Sequence, residues 1–104
     1  MNIEQFDRLR AALAKDCEIT GVLMDDNGRT CALGCIAREM GIELAANTAL
    51  SMSNGFNIFV GLQRALGISL ADVVQIMRAN DESPTIAARR ARVLAVWDTL
   101  RPTE

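Results

Sequence analysis

The chain has 104 residues, half of them apolar and 23% charged, with eleven basic side chains against thirteen acidic for a net charge of −2. That length makes a single helical domain over residues 1–104, able to bury about two-thirds of its unfolded surface without a metal or disulfide staple. The near-neutral balance gives no long-range field to recruit nucleic acid or an anionic membrane, and the absence of histidine excludes every His-dependent dyad, triad, metal ligand and proton shuttle.

In chain order, Asn2 followed by Gln5 has capping-box spacing, and Ile3, Phe6, Leu9 and Leu13 recur at helical intervals, which predicts a first helix over residues 3–15. From Glu18 to Arg29 the helical period fails. Val22, Leu23 and Met24 run into Asp25-Asp26-Asn27-Gly28, and Asn-Gly is a hairpin signal, so one short β-hairpin is expected near residues 20–31. Thr30 is placed to cap a second helix that stops at Gly41. A third, short helix is predicted over Ile42–Met52, broken by Ser53-Asn54-Gly55, and a fourth over Phe56–Leu66, ending at Gly67. Ser69 with Asp72 caps a fifth over Leu70–Ala79. After a turn over Asn80–Ser83, Ser83 caps and Pro84 opens a last helix reaching about Leu100. The expectation is an all-α bundle of five or six short helices around Phe56, Phe59, Leu62, Val73, Met77, Val93 and Trp97.

Cys17, Cys31 and Cys35 are an odd number, which does not suit a secreted disulfide framework. Met1 leads into an acidic amphipathic stretch instead of a basic-then-apolar leader, and no window has the apolar length of a membrane span. A reducing cytoplasm is the expected location, with no membrane partner.

Cys31 and Cys35, four apart on the second helix, share one face, and the helix dipole would favour a thiolate at Cys31. One reading is a reactive or metal-binding pair. The other is packing, with Cys31, Gly34 and Cys35 as small residues that admit a close neighbour. A metal would have to be held without histidine, and Cys17 is the remaining thiol, so packing is preferred, with reduced thiols, no metal and no cofactor. Asp25-Asp26 and Asp81-Glu82 are adjacent acids that share solvent, unlike an acid–base pair held in two environments. No catalytic constellation emerges, and the chain is not expected to be an enzyme.

Residues 56–79 have helix-turn-helix length. Residues 1–52 carry a charge of −3 and residues 53–104 a charge of +1, a small asymmetry. The second helix of that unit offers Gln75 and Arg78 as polar readers, with Asp72 repelling phosphate. Nucleic acid is therefore a minor expectation. Apolar residues exceed one helical stripe: Phe59, Leu62 and Leu66 spread around the fourth helix, and Ile76 projects away from its neighbours on the fifth. These four residues form the expected interaction surface, for a protein partner or for a second copy in a homodimer. The leading expectation is a non-catalytic protein-interaction module. A helix-turn-helix DNA-binding regulator is the alternative, and a thiol-dependent enzyme the second alternative.

Cys31-Ala32-Leu33-Gly34-Cys35 on a helix, the Ala-rich segment after it, and Asn80-Asp81 before a final helix opened by Ser83-Pro84 carry a resemblance. Over residues 20–98 the pattern resembles small helical domains of bacteria and phages whose function is unassigned. The resemblance implies no catalytic residue. It implies structural roles, with Gly34 serving close helix packing and Asn80-Asp81 serving capping and turn bonds. It also places a phage-borne inhibitor of a host defence complex among the functions open to an interaction module.

Arg90 is singled out by the helical wheel. Ile86, Val93, Trp97 and Leu100 lie to one side of it and Leu94 to the other, whereas Arg89 and Arg92 point to solvent. A guanidinium in that stripe needs acceptors, which Asp81, Glu82 or helix-terminal carbonyls would supply, unless its head snorkels to water.

Overall fold

The computed structural model describes residues 1–47 and 53–103, with side chains described from residue 57 onward in the helix that begins at Ser53. The fold is all-α: α1 spans Ile3–Leu13, α2 Ala32–Glu39, α3 Ser53–Leu66, α4 Leu70–Asp81 and α5 Ile86–Asp98. Among the described residues the hairpin is reduced to one antiparallel bridge, Met24 with Thr30.

Asn2 caps α1 by accepting the Gln5 N–H at 2.8 Å. The helix stops at Leu13, two residues before the expected end, with Ala14 as its C-cap, and Cys17 then takes φ 62. Asp25 N–H then donates to Arg29 O at 2.9 Å, Gly28 N–H to Asp25 O at 3.2 Å, and Gly28 has φ 78. Asp26–Gly28 is thus a three-residue loop with a left-handed glycine at its end.

α2 is the central element: Ala32, Leu33, Gly34, Cys35, Ile36 and Ala37 are all buried, and the helix packs on α1, α3 and α4. Its N-cap is Cys31, not Thr30, with the Cys31 Sγ accepting the Gly34 N–H at 3.4 Å. A Cβ on Gly34 would lie 1.9 Å from the Leu23 carbonyl oxygen. The glycine therefore admits a backbone segment, not a neighbouring helix. α2 ends at Gly41 as expected, with φ 79.

The short helix predicted over Ile42–Met52 is absent over residues 42–47, and the rest of that prediction lies outside the described residues. Asn47 takes φ 62, which no right-handed helix accepts, and its N–H donates to Met24 O at 2.7 Å. That bond commits the stretch to the turn region and not to a helix of its own. Ser53-Asn54-Gly55, expected to break a helix, is instead the first turn of α3.

A three-residue turn with Gly67 at φ 67 joins α3 to α4, and the two helix axes are bent by 117°. Both halves of the expected capping box are formed at the start of α4: Asp72 N–H donates to Ser69 Oγ at 3.0 Å and Ser69 N–H to Asp72 Oδ2 at 3.1 Å. The helix continues to Asp81, so Asn80-Asp81 is its last turn and not a loop. α5 begins at Ile86, capped by Thr85. Ser83 is buried instead, its hydroxyl donating to Ala79 O at 2.7 Å. No single helix is long and apolar enough to cross a membrane among the described residues.

Leu62, Val73, Val93 and Trp97 are in the core as expected. Phe59 and Met77 are only partly buried against it, and the Phe56 side chain lies outside the description. The larger correction is at the other end of the chain, where Phe6, Leu9 and Leu13 of α1 are fully buried. Phe6 stacks on Trp97 with centroids 5.5 Å apart, and the indole N–H donates to Phe6 O at 3.2 Å, which satisfies the ring's polar end in the core.

Two glycines make opposite predictions. Gly34→Ala forces a methyl onto a backbone carbonyl and should cost about 3 kcal/mol, the upper end of overpacking penalties. Gly61 of α3 has nothing within 4 Å of an added Cβ, so Gly61→Ala should gain up to ~1 kcal/mol from helix propensity. Denaturant unfolding of the two variants checks both signs.

Candidate functional site

The three thiols are free and buried. Burial pushes Cys31 up to about 11 even though its sulfur accepts backbone N–H bonds that favour the thiolate. Cys17 is pushed up to about 12, first by burial and then by the neighbouring Cys31 and Asp16. Cys35 is raised further, again by burial first and then by the Asp16 carboxylate. Sulfur nucleophiles react as thiolates, and all three are held as thiols at neutral pH. Among the described residues, no group of three His, Cys, Asp or Glu is placed to hold a metal.

Two carboxylates near the α1–α2 connection, Asp25 and Asp16, are tied into the framework. Asp25 accepts Asn27 N–H and Arg29 N–H at 2.9 Å each and pairs with Arg29 at 2.7 Å. These bonds hold its carboxyl below the usual range against an opposing desolvation effect. Asp16 pairs with Arg38 at 2.7 Å, and Arg38 also donates to Gly28 O at 3.1 Å. An open cleft of about 360 Å³ between α1 and α2 is lined by Arg8, Lys15, Asp16, Arg38 and Glu39, and one of its three cations, Arg38, is paired with Asp16.

A buried polar cluster lies where α4 hands over to α5. Asn80, 1% exposed, accepts Ala32 N–H at 2.9 Å and donates to Ile19 O and to Asp81 Oδ1, each at 3.0 Å. The capping role implied for Asn80-Asp81 is realised on α2, across 48 residues of sequence. Arg90 finds backbone carbonyls and not Asp81 or Glu82: Nε donates to Asp16 O at 2.8 Å and the guanidinium also donates to Lys15 O. Arg89, expected in solvent, donates to Asn80 O at 2.9 Å, Cys17 O at 3.2 Å and Ser83 O at 3.5 Å. The carbonyls of residues 15, 16, 17 and 19, just past α1, are therefore held by three side chains from α4 and α5. A one-helix wheel shows Arg90 as enclosed but cannot show this segment crossing over Arg89.

Of the expected interaction surface, Leu62, Leu66 and Ile76 are at most 2% exposed. They are core residues, because α3 and α4 each pack on α2 as well as on one another. Phe59 alone of the four is partly exposed. Among the described residues, the large apolar side chains in water are instead Leu70, 51% exposed at the start of α4, and Ile86, 41% exposed at the start of α5. First-turn position was the available signal, since a helix end covers its own apolar stripe less well. No family model, curated protein or solved structure matches the chain.

The thiols make a pH prediction with a definite sign. A group whose folded pKa is raised contributes stability below its unfolded value, and that contribution is lost as pH climbs through the folded value. The ordinary thiol value is 9.0, while Cys31 and Cys17 titrate at about 11 and about 12 when folded. Stability should fall as pH rises above about 9. The chain has no tyrosine, whose phenol would titrate in the same window. Melting midpoints between neutral and alkaline pH check this, and Cys35→Ala should flatten the slope.

Proposed function

We propose that the chain is a non-catalytic module that acts by binding a protein partner. The observation that carries this reading is that, among the described residues, two large apolar side chains are left in water, Leu70 and Ile86, each in the first turn of a helix. An exposed apolar side chain at a well-ordered helix start is a natural anchor for a second protein surface. The buried thiols, all raised in pKa, weigh against the thiol-dependent enzyme. A bacterial or phage setting, with inhibition of a host defence complex as one role, is supported by the Cys31–Gly34 and Asn80-Asp81 resemblance.

The 117° bend between α3 and α4 favours a second reading, duplex DNA binding, since helix-turn-helix pairs cross at about 90–120°. In that reading Leu70, Ala71, Gln75 and Arg78, all exposed, would face the groove. The reading ranks second because Arg78, the one cation among these four, lies 3.8 Å from Glu82. Binding to the phosphate backbone needs several unpaired cations.

Leu70→Glu and Ile86→Glu separate these readings, because both sites are exposed and the variants should melt like the wild type. Capture from bacterial lysate should retain a partner on the wild type and lose it on one or both variants. Equal retention on all three proteins would contradict the protein reading. Salt-sensitive retention of the wild type on duplex DNA, weakened by Arg78→Ala, would establish the second reading in its place. Mass measurement of the pure protein decides whether the partner is a second copy.

A further inference from the structure

Among six asparagines, Asn27 is held differently from the others whose side chains are described. Asn2 caps α1 through its Oδ1. The Asn47 carboxamide donates to Asp26 Oδ1 at 2.8 Å, and Asn80 is buried with its carboxamide fully engaged. Asn57 is exposed but sits within α3 and precedes Ile58, whose branched side chain shields the following amide. Asn27 is exposed in the three-residue loop, its N–H is bonded to Asp25 Oδ1, and its carboxamide has no partner among the described hydrogen bonds. Gly28 follows it, with no side chain of its own and nothing within 4 Å of where a Cβ would stand.

We propose that Asn27 is a site of spontaneous covalent modification, deamidating through a cyclic imide formed with Gly28. The Gly28 backbone nitrogen attacks Asn27 Cγ. A new N–Cγ bond forms, the Cγ–Nδ2 bond breaks, and the side-chain nitrogen leaves as ammonia with the proton given up by the attacking amide. Water then opens the imide. Cleavage at Cγ leaves an aspartate at position 27, and cleavage at the main-chain carbonyl leaves an isoaspartate, with the chain running through Cβ. Water is the one co-reactant, and no electrons are transferred.

The loop sets the rate through Asp25. To attack, the Gly28 nitrogen must leave its 3.2 Å bond to Asp25 O. The Asp25 carboxylate meanwhile clamps the N–H groups of Asn27 and Arg29 at either side of the reacting bond. The second Asn-Gly pair, Asn54-Gly55, lies in the first turn of α3. A helical backbone disfavours imide closure at such a pair. Isoaspartate at position 27 would add a backbone methylene to the loop and displace Gly28 O, to which Arg38 of α2 donates at 3.1 Å. The modification therefore reaches the central helix.

The test is incubation of the intact protein in mildly alkaline buffer, followed by peptide mapping by mass and enzymatic methylation of isoaspartate. Amide-to-acid conversion and methylation should accumulate first in the peptide containing residues 25–29. Asn27→Gln should abolish that signal, and Asp25→Ala, which releases the clamp, should raise its rate several-fold. Earlier conversion in the peptide containing Asn54, or an intact Asn27 after other asparagines have converted, would overturn the proposal. An Asp25→Ala rate equal to the wild type would overturn the control assigned to the clamp.

Discussion

The Asn80 carboxamide is the interaction on which the arrangement of the chain most depends. It sits in the last turn of α4, 1% exposed, and joins three segments far apart in sequence. Its oxygen caps the first amide of α2, one nitrogen proton holds the Ile19 carbonyl, and the other holds Asp81. A helix N-terminus buried in a core needs acceptors for its free N–H groups, since each unsatisfied buried group costs about 1–3 kcal/mol. α2 receives one from Cys31 Sγ and one from Asn80. An apolar side chain at position 80 would leave Ala32 N–H and Ile19 O without these partners.

The placement of α2 at the centre follows from small side chains. Ala32, Gly34, Cys35 and Ala37 present little bulk, so α1, α3 and α4 can all approach the same eight-residue helix. Gly34 is the tightest point, with the Leu23 backbone lying where a methyl group would be. The thiols follow from the same demand: Cys31 caps and Cys35 fills, and burial keeps both protonated. Arg89 and Arg90 complete the arrangement from α5 by holding carbonyls of the non-helical segment that follows α1. Guanidinium groups suit this role because one side chain can serve several diverging acceptors.

The helices that were legible in the sequence have local stop and start signals. Asn2, the Ser69–Asp72 box, Gly41 and Gly67 act within one turn of their own position, and each appears where spacing places it. The failures involve tertiary partners. Thr30 has the better intrinsic capping chemistry, yet Cys31 takes the cap. Ser83 has a hydroxyl suited to capping, yet it bonds back to Ala79, and Thr85 starts α5. Leu62, Leu66 and Ile76 read as surplus apolar surface because periodicity counts one buried face per helix, whereas α3 packs on two neighbours and α4 on three. The α1 contribution to the core is hidden by distance in sequence: nothing local to Phe6 announces Trp97, 91 residues away.

Among the described residues, the surface offers two exposed large apolar side chains at helix starts and a bent helix pair. The framework beneath rests on Asn80, and native-state hydrogen exchange of the Ala32 amide tests that most directly. If Asn80 Oδ1 caps this amide in a closed core, Ala32 should exchange only through global unfolding, with the same free energy as core amides of α5 such as Trp97. Exchange of Ala32 at the rate of an exposed loop amide, while Trp97 stays protected, would contradict the account.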